Sequence, residues 1–153
     1  MMSANFQKRV SSMMIRRALK EDALDVLAWR NDAQAVAMSK SGRVLDVDDH
    51  LTWFPKALAS SDCAMFIAEH EDRRIGMVRF DRAGDHWLVS INVAPNERRK
   101  GYGQSMLATA MKEIGGPLLA EIKSDNLPSI CIFERCGFRK IAAIDGWLKY
   151  ERR

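Results

Sequence analysis

The sequence has few of the residues that build disulfide frameworks and metal sites. Its 153 residues include three cysteines and three histidines. The number of cysteines is odd, and no two of them form a C-x-x-C pair, so Cys63, Cys131 and Cys136 cannot close a disulfide framework. The histidines have no metal-ligand spacing among themselves or to the cysteines, so no metal site is predicted. Unpaired cysteines fit a reducing compartment, and we expect a cytoplasmic protein.

Long apolar runs are also absent. No stretch reaches the ~18 consecutive apolar residues of a membrane-spanning helix, which excludes functions that require one. Residues 1–12 are polar and lack the apolar segment of a signal peptide, so we expect a flexible N-terminal tail there. The remaining residues, 13–153, have the length of one domain, and a sequence that is 47% hydrophobic can supply its core.

Hydrophobic periodicity and turn signals divide the chain into alternating strands and helices. Asp46 can cap a helix that runs to residue 58, but Pro55 removes a backbone hydrogen bond at a cost of about 3 kcal/mol, so we expect a break near Phe54. The predicted strands are 14–19, 63–69, 74–81, 86–93, 118–123, 139–144 and 147–152, and the predicted helices are 21–32, 46–58, 104–114 and 128–136.

The order of these elements predicts the fold class. Strand, helix and strand over residues 86–123 require a parallel crossover. The three strands between 63 and 93 are joined by short turns, as are the last two strands, through the type I′ pair Asp145-Gly146. We therefore predict a single α/β domain with a mixed, mostly antiparallel central sheet. The sheet has about six or seven strands and is flanked by about four helices.

The most informative segment lies between an apolar strand and an amphipathic helix and contains Arg98-x-x-Gly101-x-Gly103. Glycines let backbone N–H groups approach a ligand closely, and the N-terminus of a helix favours anions. Arg98, Arg99 and Lys100 concentrate positive charge here, in a sequence whose net charge is only +4. The segment predicts a pyrophosphate-binding loop. The alternative is a solvated basic turn followed by a helix.

Other phosphate loops and nucleic-acid binding are disfavoured. The Walker A pattern G-x-x-x-x-G-K-S/T is absent, and Met106 stands where a dinucleotide fingerprint needs its third glycine. The three cations have no interleaved aromatic residues and no second basic patch, so nucleic acid is not an expected partner.

Two further segments accompany the loop. Residues 90–95 read S-I-N-V-A-P, and residues 126–129 and 134–138 read N-L-P-S and E-R-C-G-F. With the R-x-x-G-x-G loop, these segments resemble the GCN5-related N-acetyltransferase (GNAT) family, in which they match the fourth strand, the R/Q-x-x-G-x-G/A loop and an N-x-x-S-x4-E-K/R-x-G-F helix. The resemblance covers residues 14–150 and is specific from 86 to 138.

The resemblance implies an acetyl-CoA-dependent N-acetyltransferase whose sheet splays between the fourth and fifth strands. The pantetheine arm of the cofactor would lie along the fourth strand, where a bulge commonly opens the splay, and a backbone N–H near Val93 would polarise the thioester carbonyl. No protein nucleophile is required. The residues implied to bind the cofactor are Ile91, Asn92, Val93, Arg98, Arg99, Lys100, Gly101, Tyr102, Gly103, Gln104, Ser105, Asn126, Ser129 and Phe133.

The catalytic candidates are Ser129, Ser90 and Asn92. Phe133 stands where many relatives have a tyrosine acid, so Ser129 is a candidate to protonate the sulfur. A helix N-cap or a hydrogen bond to the cofactor is the alternative role of Ser129. Ser90 and Asn92 alternate with His86 on one strand face, and Glu69 ends a neighbouring strand. The base is either one of these side chains or a water held by Ser90 or by a backbone carbonyl.

Acceptor choice in the family is set mainly by the first two helices. The sequence W-R-N at 29–31, the pair H-x-x-W at 50–53 and an arginine at 79 resemble bacterial amino-sugar N-acetyltransferases of the pseudaminic-acid type, which act on nucleotide-linked amino sugars. The tryptophans are alternatively core residues, and an arginine inside a central strand needs an anionic partner, either substrate or Asp/Glu. The implied substrate-binding residues are Trp29, Arg30, Asn31, His50, Trp53 and Arg79.

Two other functions stay open. The N-x-x-S helix pattern is shared with the ribosomal-protein branch of peptide N-terminal acetyltransferases, and Asp46, Asp48 and Asp49 offer an acidic groove for an amino terminus. A non-catalytic acyl-CoA sensor is a hypothesis of another class. The expected partner is a small-molecule amine, with a sugar nucleotide as one candidate, and we also consider a homodimer.

Overall fold

The computed structural model describes residues 13–153, where one seven-stranded sheet carries helices on both faces. The expected tail, 1–12, lies outside the described residues. No helix within them is long and apolar enough to cross a bilayer. The strands are β1 (Met14–Arg17), β2 (Cys63–His70), β3 (Arg73–Ala83), β4 (His86–Val93), β5 (Leu118–Lys123), β6 (Arg139–Ile144) and β7 (Trp147–Arg152). The helices are α1 (Ala23–Arg30), α2 (Ala33–Ala37), α3 (Val47–Ala59), α4 (Tyr102–Met111) and α5 (Leu127–Arg135), with 3-10 turns at Lys20–Asp22 and Pro95–Glu97.

The strand order is β1-β2-β3-β4-β5-β7-β6, and neighbouring strands are antiparallel except for β4 and β5. This arrangement confirms the predicted mixed, mostly antiparallel α/β fold with a parallel crossover through α4. Between β6 and β7, φ is 52° at Asp145 and 83° at Gly146, as the predicted type I′ turn requires.

A gap between β4 and β5 is the central feature of the sheet. These strands pair only at Trp87 with Leu118 and at Leu88 with Leu119, and they separate beyond those positions. β4 stays paired with β3 as far as Val93, and β5 stays paired with β7 along its whole length. The predicted splay between the fourth and fifth strands is confirmed.

The expected bulge in β4 is wrong. β4 pairs with β3 from His86 to Val93 without a register shift, whereas shifts occur after Ala68 in β2 and after Lys140 in β6. The gap therefore occurs without an extra residue in β4, while β4 stays paired with β3 and β5 stays paired with β7.

Alternation along β3 divides the core into two layers. Val78 and Phe80 belong to the larger hydrophobic cluster, which packs under α4 and α5, and Met77 belongs to the smaller cluster under α1 and α3. Because side chains alternate along a strand, Arg79 and Asp81 share the face of Met77. Two charged residues of a central strand therefore lie on the side covered by α1 and α3.

The break predicted near Phe54 is also wrong, because α3 runs unbroken over Val47–Ala59. Pro55 has no N–H to donate to the carbonyl of Leu51, one turn earlier. Both residues are exposed, so this carbonyl can bond to water instead. Phe54 and Ala57 are buried and hold the last turn against the sheet. Tertiary packing thus outweighs the cost of the proline.

The predicted helix over 21–32 is divided into the first 3-10 turn and α1, which ends at Arg30, and a further short helix that was not predicted, α2, follows. Asp32 caps α2 by accepting a hydrogen bond from the N–H of Ala35 at 3.3 Å. The described residues therefore contain five α-helices rather than about four. α4 ends at Met111 rather than at 114, as its last turn loosens ahead of the Gly115-Gly116 pair.

A buried carboxylate joins β1 to β3. Asp22 is fully buried and accepts hydrogen bonds from Arg16 at 2.8 and 2.9 Å and from the N–H of Leu19 at 2.7 Å. Arg74 adds an ion pair at 2.9 Å. Burial alone would raise the pKa of Asp22, but these partners hold it below its usual value.

Asp22→Asn should lower the free energy of unfolding by about 2–4 kcal/mol, because it leaves two cations without their buried carboxylate. The loss of stability is smaller than for a fully buried ion pair, because the side chains of Arg16 and Arg74 are 30% and 36% exposed. Urea unfolding measures the effect. Asp25→Asn, which removes a more exposed partner of Arg74, is the control and should cost less than about 0.5 kcal/mol. Equal losses in the two variants would contradict the assignment.

Candidate active site

The loop that follows β4 presents the start of a helix. Gly101 has a φ of 85°, a left-handed conformation that glycine adopts without strain, and α4 begins at the next residue. No side chain caps this helix, so the N–H groups of its first turn are left for a ligand. The backbone of the predicted loop thus has the arrangement that favours an anion.

Gly103 also has a packing role. A Cβ at this position would lie 2.6 Å from Cδ1 of Ile132 and 3.6 Å from Cγ2 of Val93. α4 therefore approaches α5 and β4 more closely than a side chain would comfortably allow. Of the other predicted cofactor residues on α4, Gln104 is exposed and Ser105 is half-buried.

Two cations of the loop are paired with side chains of the protein. Arg98 donates to Asp32 at 2.8 Å and to Gln34 at 3.1 Å, and Lys100 donates to Glu97 at 3.1 Å. The hydrogen bond from Arg98 lowers the pKa of Asp32. Burial alone would raise the pKa of Glu97, but hydrogen bonds from Lys100 and from Arg73 of β3 hold it below its usual value.

Asp32 and Gln34 were missed as partners of the loop. They lie 66 and 64 positions before Arg98, and no local pattern connects such distant positions. The available signal was an excess of cations in the loop, which predicts carboxylate partners but not their identity. Arg99, by contrast, is exposed and has a φ of 64°.

The backbone of β4 presents hydrogen-bonding groups to the gap. The N–H of Ala94 donates to β3 at 2.8 Å, and the N–H of Trp87 donates in the opposite direction, to Pro117 beside β5, at 3.1 Å. Backbone groups alternate in direction along a strand. The N–H and C=O groups of Ile91 and Val93 therefore point into the gap, beyond the last pair between β4 and β5.

The side chains of β4 divide between the two faces of the sheet. Ser90 lies directly opposite Arg79, and Asn92 follows on the same face of the sheet, the face on which α1 and α3 pack. Ile91 and Val93 pack against the larger core cluster. The predicted catalytic side chains of β4 thus share a face with predicted acceptor residues.

Three of the six predicted acceptor residues come together on that face. The guanidinium groups of Arg79 and Arg30 lie 4.6 and 5.7 Å from the ring centre of Trp53. Nε of Arg79 lies 2.8 Å from Oδ2 of Asp81, which supplies the anionic partner predicted for this arginine. These four residues define the arginine–tryptophan cluster.

The other three predicted acceptor residues have structural contacts. Trp29 is 7% exposed and belongs to the smaller core cluster. Asn31 bonds through both ends of its amide to the backbone of Leu45, at 2.7 and 3.0 Å. His50 is 3% exposed, and its Nε2 donates to the carbonyl of Ala23 at 2.7 Å. No three His, Cys, Asp or Glu residues of the described chain are grouped to hold a metal ion.

Residues of α4 and α5 were predicted as cofactor contacts as well. Asn126, not Ser129, is the N-cap of α5, since its side chain accepts from the N–H of Ser129 at 3.3 Å. The half-buried Ser129 therefore keeps its hydroxyl for other partners. The side chains of Phe133 and Tyr102 are 2% and 1% exposed and lie in the core, so neither ring lines an open surface.

The fold and the loop define an acyltransferase-like architecture, with a splayed sheet beside an uncapped helix start. The model of the acetyltransferase (GNAT) family matches residues 23–138. The chain belongs to this family and is an acetyltransferase that uses acetyl-CoA. A comparison with curated protein sequences gives no match.

Solved structures share the fold over nearly their whole length. Spermidine N-acetyltransferase from Vibrio cholerae, in complex with CoA and spermine, has a TM-score of 0.80 and 15% identity, covering 93% of this chain and 95% of that one. Ribosomal-protein-alanine N-acetyltransferase from Brucella melitensis has a TM-score of 0.76 and 23% identity, covering 91% and 98%. The protein yncA from Salmonella typhimurium, solved with its cofactor acetyl-CoA, has a TM-score of 0.74 and 22% identity, covering 93% and 94%.

His50 should make the protein less stable in mild acid. Burial lowers its pKa below 6.5, assisted by the charge of Arg30 and opposed by the hydrogen bond to Ala23. The unfolded chain then binds more protons than the folded one as the pH falls below about 6.5, so the free energy of unfolding decreases. Urea unfolding between about pH 7.5 and pH 5 measures the slope, which His50→Gln should flatten. Equal slopes for the two proteins would exclude His50 as the cause.

Proposed function

We propose that this acetyltransferase transfers the acetyl group of acetyl-CoA to a primary amine of a small molecule, with the cofactor in the gap between β4 and β5. The observation that carries the proposal is the direction of the N–H and C=O groups of Ile91 and Val93, which point into that gap. A pantetheine arm can replace the missing strand there, and the uncapped start of α4 suits a pyrophosphate. The proposed cofactor-binding groups are the backbone of Ile91 and Val93, the loop Arg98, Arg99, Lys100, Gly101, Tyr102, Gly103, Gln104 and Ser105, and the side chains of Asn126 and Ser129. The N–H and C=O groups of Asn92 point to β3, so its backbone is not among them.

The bound cofactor supplies a reactive thioester, and groups of this chain direct its chemistry. With acetyl-CoA bound, the N–H of Val93 would donate to the thioester oxygen, where negative charge develops in the transition state. The hydroxyl of Ser129 would donate its proton to the departing sulfur and regain one, through water, from the amine nitrogen as the amide forms. On the other face, Ser90 and Asn92 orient the amine, or a water that takes its proton.

A nucleotide-linked amino sugar is the acceptor that we propose first. Its support is the arginine–tryptophan cluster, since indole and guanidinium groups suit sugar rings and diphosphates. A peptide amino terminus is the second candidate, supported by the fold shared with a ribosomal-protein-alanine N-acetyltransferase and by the exposed Asp48 and Asp49. A cytoplasmic location and a homodimer stay predictions.

An acceptor screen tests the function. Release of free CoA thiol from acetyl-CoA is measured with a nucleotide-linked 4-amino sugar, a peptide with an N-terminal alanine, and spermidine. We expect turnover with the amino sugar, confirmed by the mass of the acetylated product. Turnover with peptides alone would refute the sugar acceptor. Stoichiometric binding of acetyl-CoA without turnover on any amine would favour the acyl-CoA sensor instead.

Asp32→Asn should tighten CoA binding about two- to fivefold, because a cofactor pyrophosphate no longer competes with a carboxylate for Arg98. The side chains of Arg98 and Asp32 are 25% and 23% exposed, which keeps the effect modest. Asparagine caps a helix as well as aspartate does, so α2 should persist. Isothermal titration calorimetry gives the dissociation constant.

Asp46→Asn is the matched control for this prediction. Asp46 caps α3 in the same way, accepting from the N–H of Asp49 at 3.0 Å, but lies outside the loop's ion pairs. Its substitution should leave the dissociation constant unchanged. Weaker CoA binding by the Asp32 variant, or the same change in both variants, would show that Asp32 does not compete for Arg98.

A further inference from the structure

Two cationic side chains from different elements meet over one indole ring. Trp53 projects from α3, Arg30 is the last residue of α1, and Arg79 lies within β3. Both guanidinium groups lie within cation–π distance of the ring, at 4.6 Å for Arg79 and 5.7 Å for Arg30. Stacking of this kind holds a guanidinium plane in place while its N–H edge can still donate.

The charges of this cluster do not balance. Nε of Arg79 is buried and 2.8 Å from Asp81, but the angles are not those of a hydrogen bond, and Nε has no hydrogen-bond acceptor among the described residues. Burial and the charge of Arg79 lower the pKa of Arg30, with Asp81 opposing them. Two cations therefore share one carboxylate at a partly desolvated position, where a further anion would be stabilising.

The cluster lies beside the face on which the amine is proposed to bind. The side chain of Arg79 is 19% exposed, so a solute can reach it. Ser90, directly opposite Arg79 on β4, is exposed, and Asn92 follows on the same face. Neighbouring strands are only ~4.8 Å apart, so a molecule bound at Arg79 also reaches the part of β4 that borders the gap.

We propose that Arg30 and Arg79, held by Trp53, bind a carboxylate or phosphate group of the acetyl acceptor. The inference rests on the proposed function, because it names the class of amine accepted, one that carries an anionic group. Forked guanidinium groups match the paired oxygens of either anion. A polyamine such as spermidine, the substrate named for the Vibrio cholerae enzyme of the same fold, would be repelled here.

The test compares amines that differ in a single anionic group. Acetylation rates are measured for glucosamine 6-phosphate against glucosamine, for methionine against methioninamide, and for spermidine. We expect kcat/KM to be about tenfold higher or more for the anionic member of one pair, and lowest for spermidine. The pair that shows the preference identifies phosphate or carboxylate as the recognised group.

Arg30→Gln and Arg79→Gln should each reduce that preference about fivefold or more. Arg82→Gln is the matched control, because Arg82 also belongs to β3 and lies 5.0 Å from an indole, that of Trp87, but is exposed. It should keep the preference. Comparing ratios within each variant cancels the intrinsic reactivity of the amines. Equal rates for both members of each pair, or a preference that survives both Gln variants, would overturn the proposal.

A second measurement decides the inference if no amine is acetylated. The Nε–Hε NMR signals of Arg30 and Arg79 are followed in the CoA complex while inorganic phosphate or acetate is added. Saturable shifts of both signals, with the signal of Arg82 unchanged, would support the anion site. The absence of turnover would then refute the proposed function alone. No shift with either anion would overturn the inference.

Discussion

The missing backbone partner of β4 is the constraint on which the rest of the structure depends. A strand inside a sheet normally has hydrogen-bond partners on both sides, yet β4 meets β5 only at Trp87 and Leu88. Beyond them the backbone groups of Ile91 and Val93 face a gap, and the chain then passes through the 3-10 turn Pro95–Glu97 and the glycine loop into α4. One strand thus offers a backbone edge to an extended ligand and leads into the helix start that suits its phosphates.

The last residue of α1 and the two residues that follow it connect this gap to the acceptor face. Arg30 contributes to the arginine–tryptophan cluster, Asn31 fixes the chain to Leu45, and Asp32 both caps α2 and pairs with Arg98. The acceptor side and the phosphate loop are therefore joined through adjacent residues.

Much of the fold could be predicted because its signals are local. The bounds of β5, β6 and β7 match the predicted ranges, because alternating apolar residues and the Asp145-Gly146 turn together allow a single pairing register. Tertiary packing determines the helices whose bounds differ from the predicted ones. Buried Phe54 keeps α3 intact across Pro55. Asp32, predicted as the last residue of a helix, is instead the N-cap of α2. Among the acceptor candidates, the sequence pattern could not distinguish Trp29, which is buried in the core, from Trp53, whose ring contacts the guanidinium groups of two arginines.

A crystal structure of the CoA complex tests the central claim most directly. The account predicts pyrophosphate oxygens within hydrogen-bond distance of the N–H groups at the start of α4, and a pantetheine arm bonded to the backbone of β4 in the gap. A cofactor bound elsewhere, for example at the arginine-rich surface formed by Gly137, Arg139 and Arg152, with Arg98 still paired to Asp32, would contradict it.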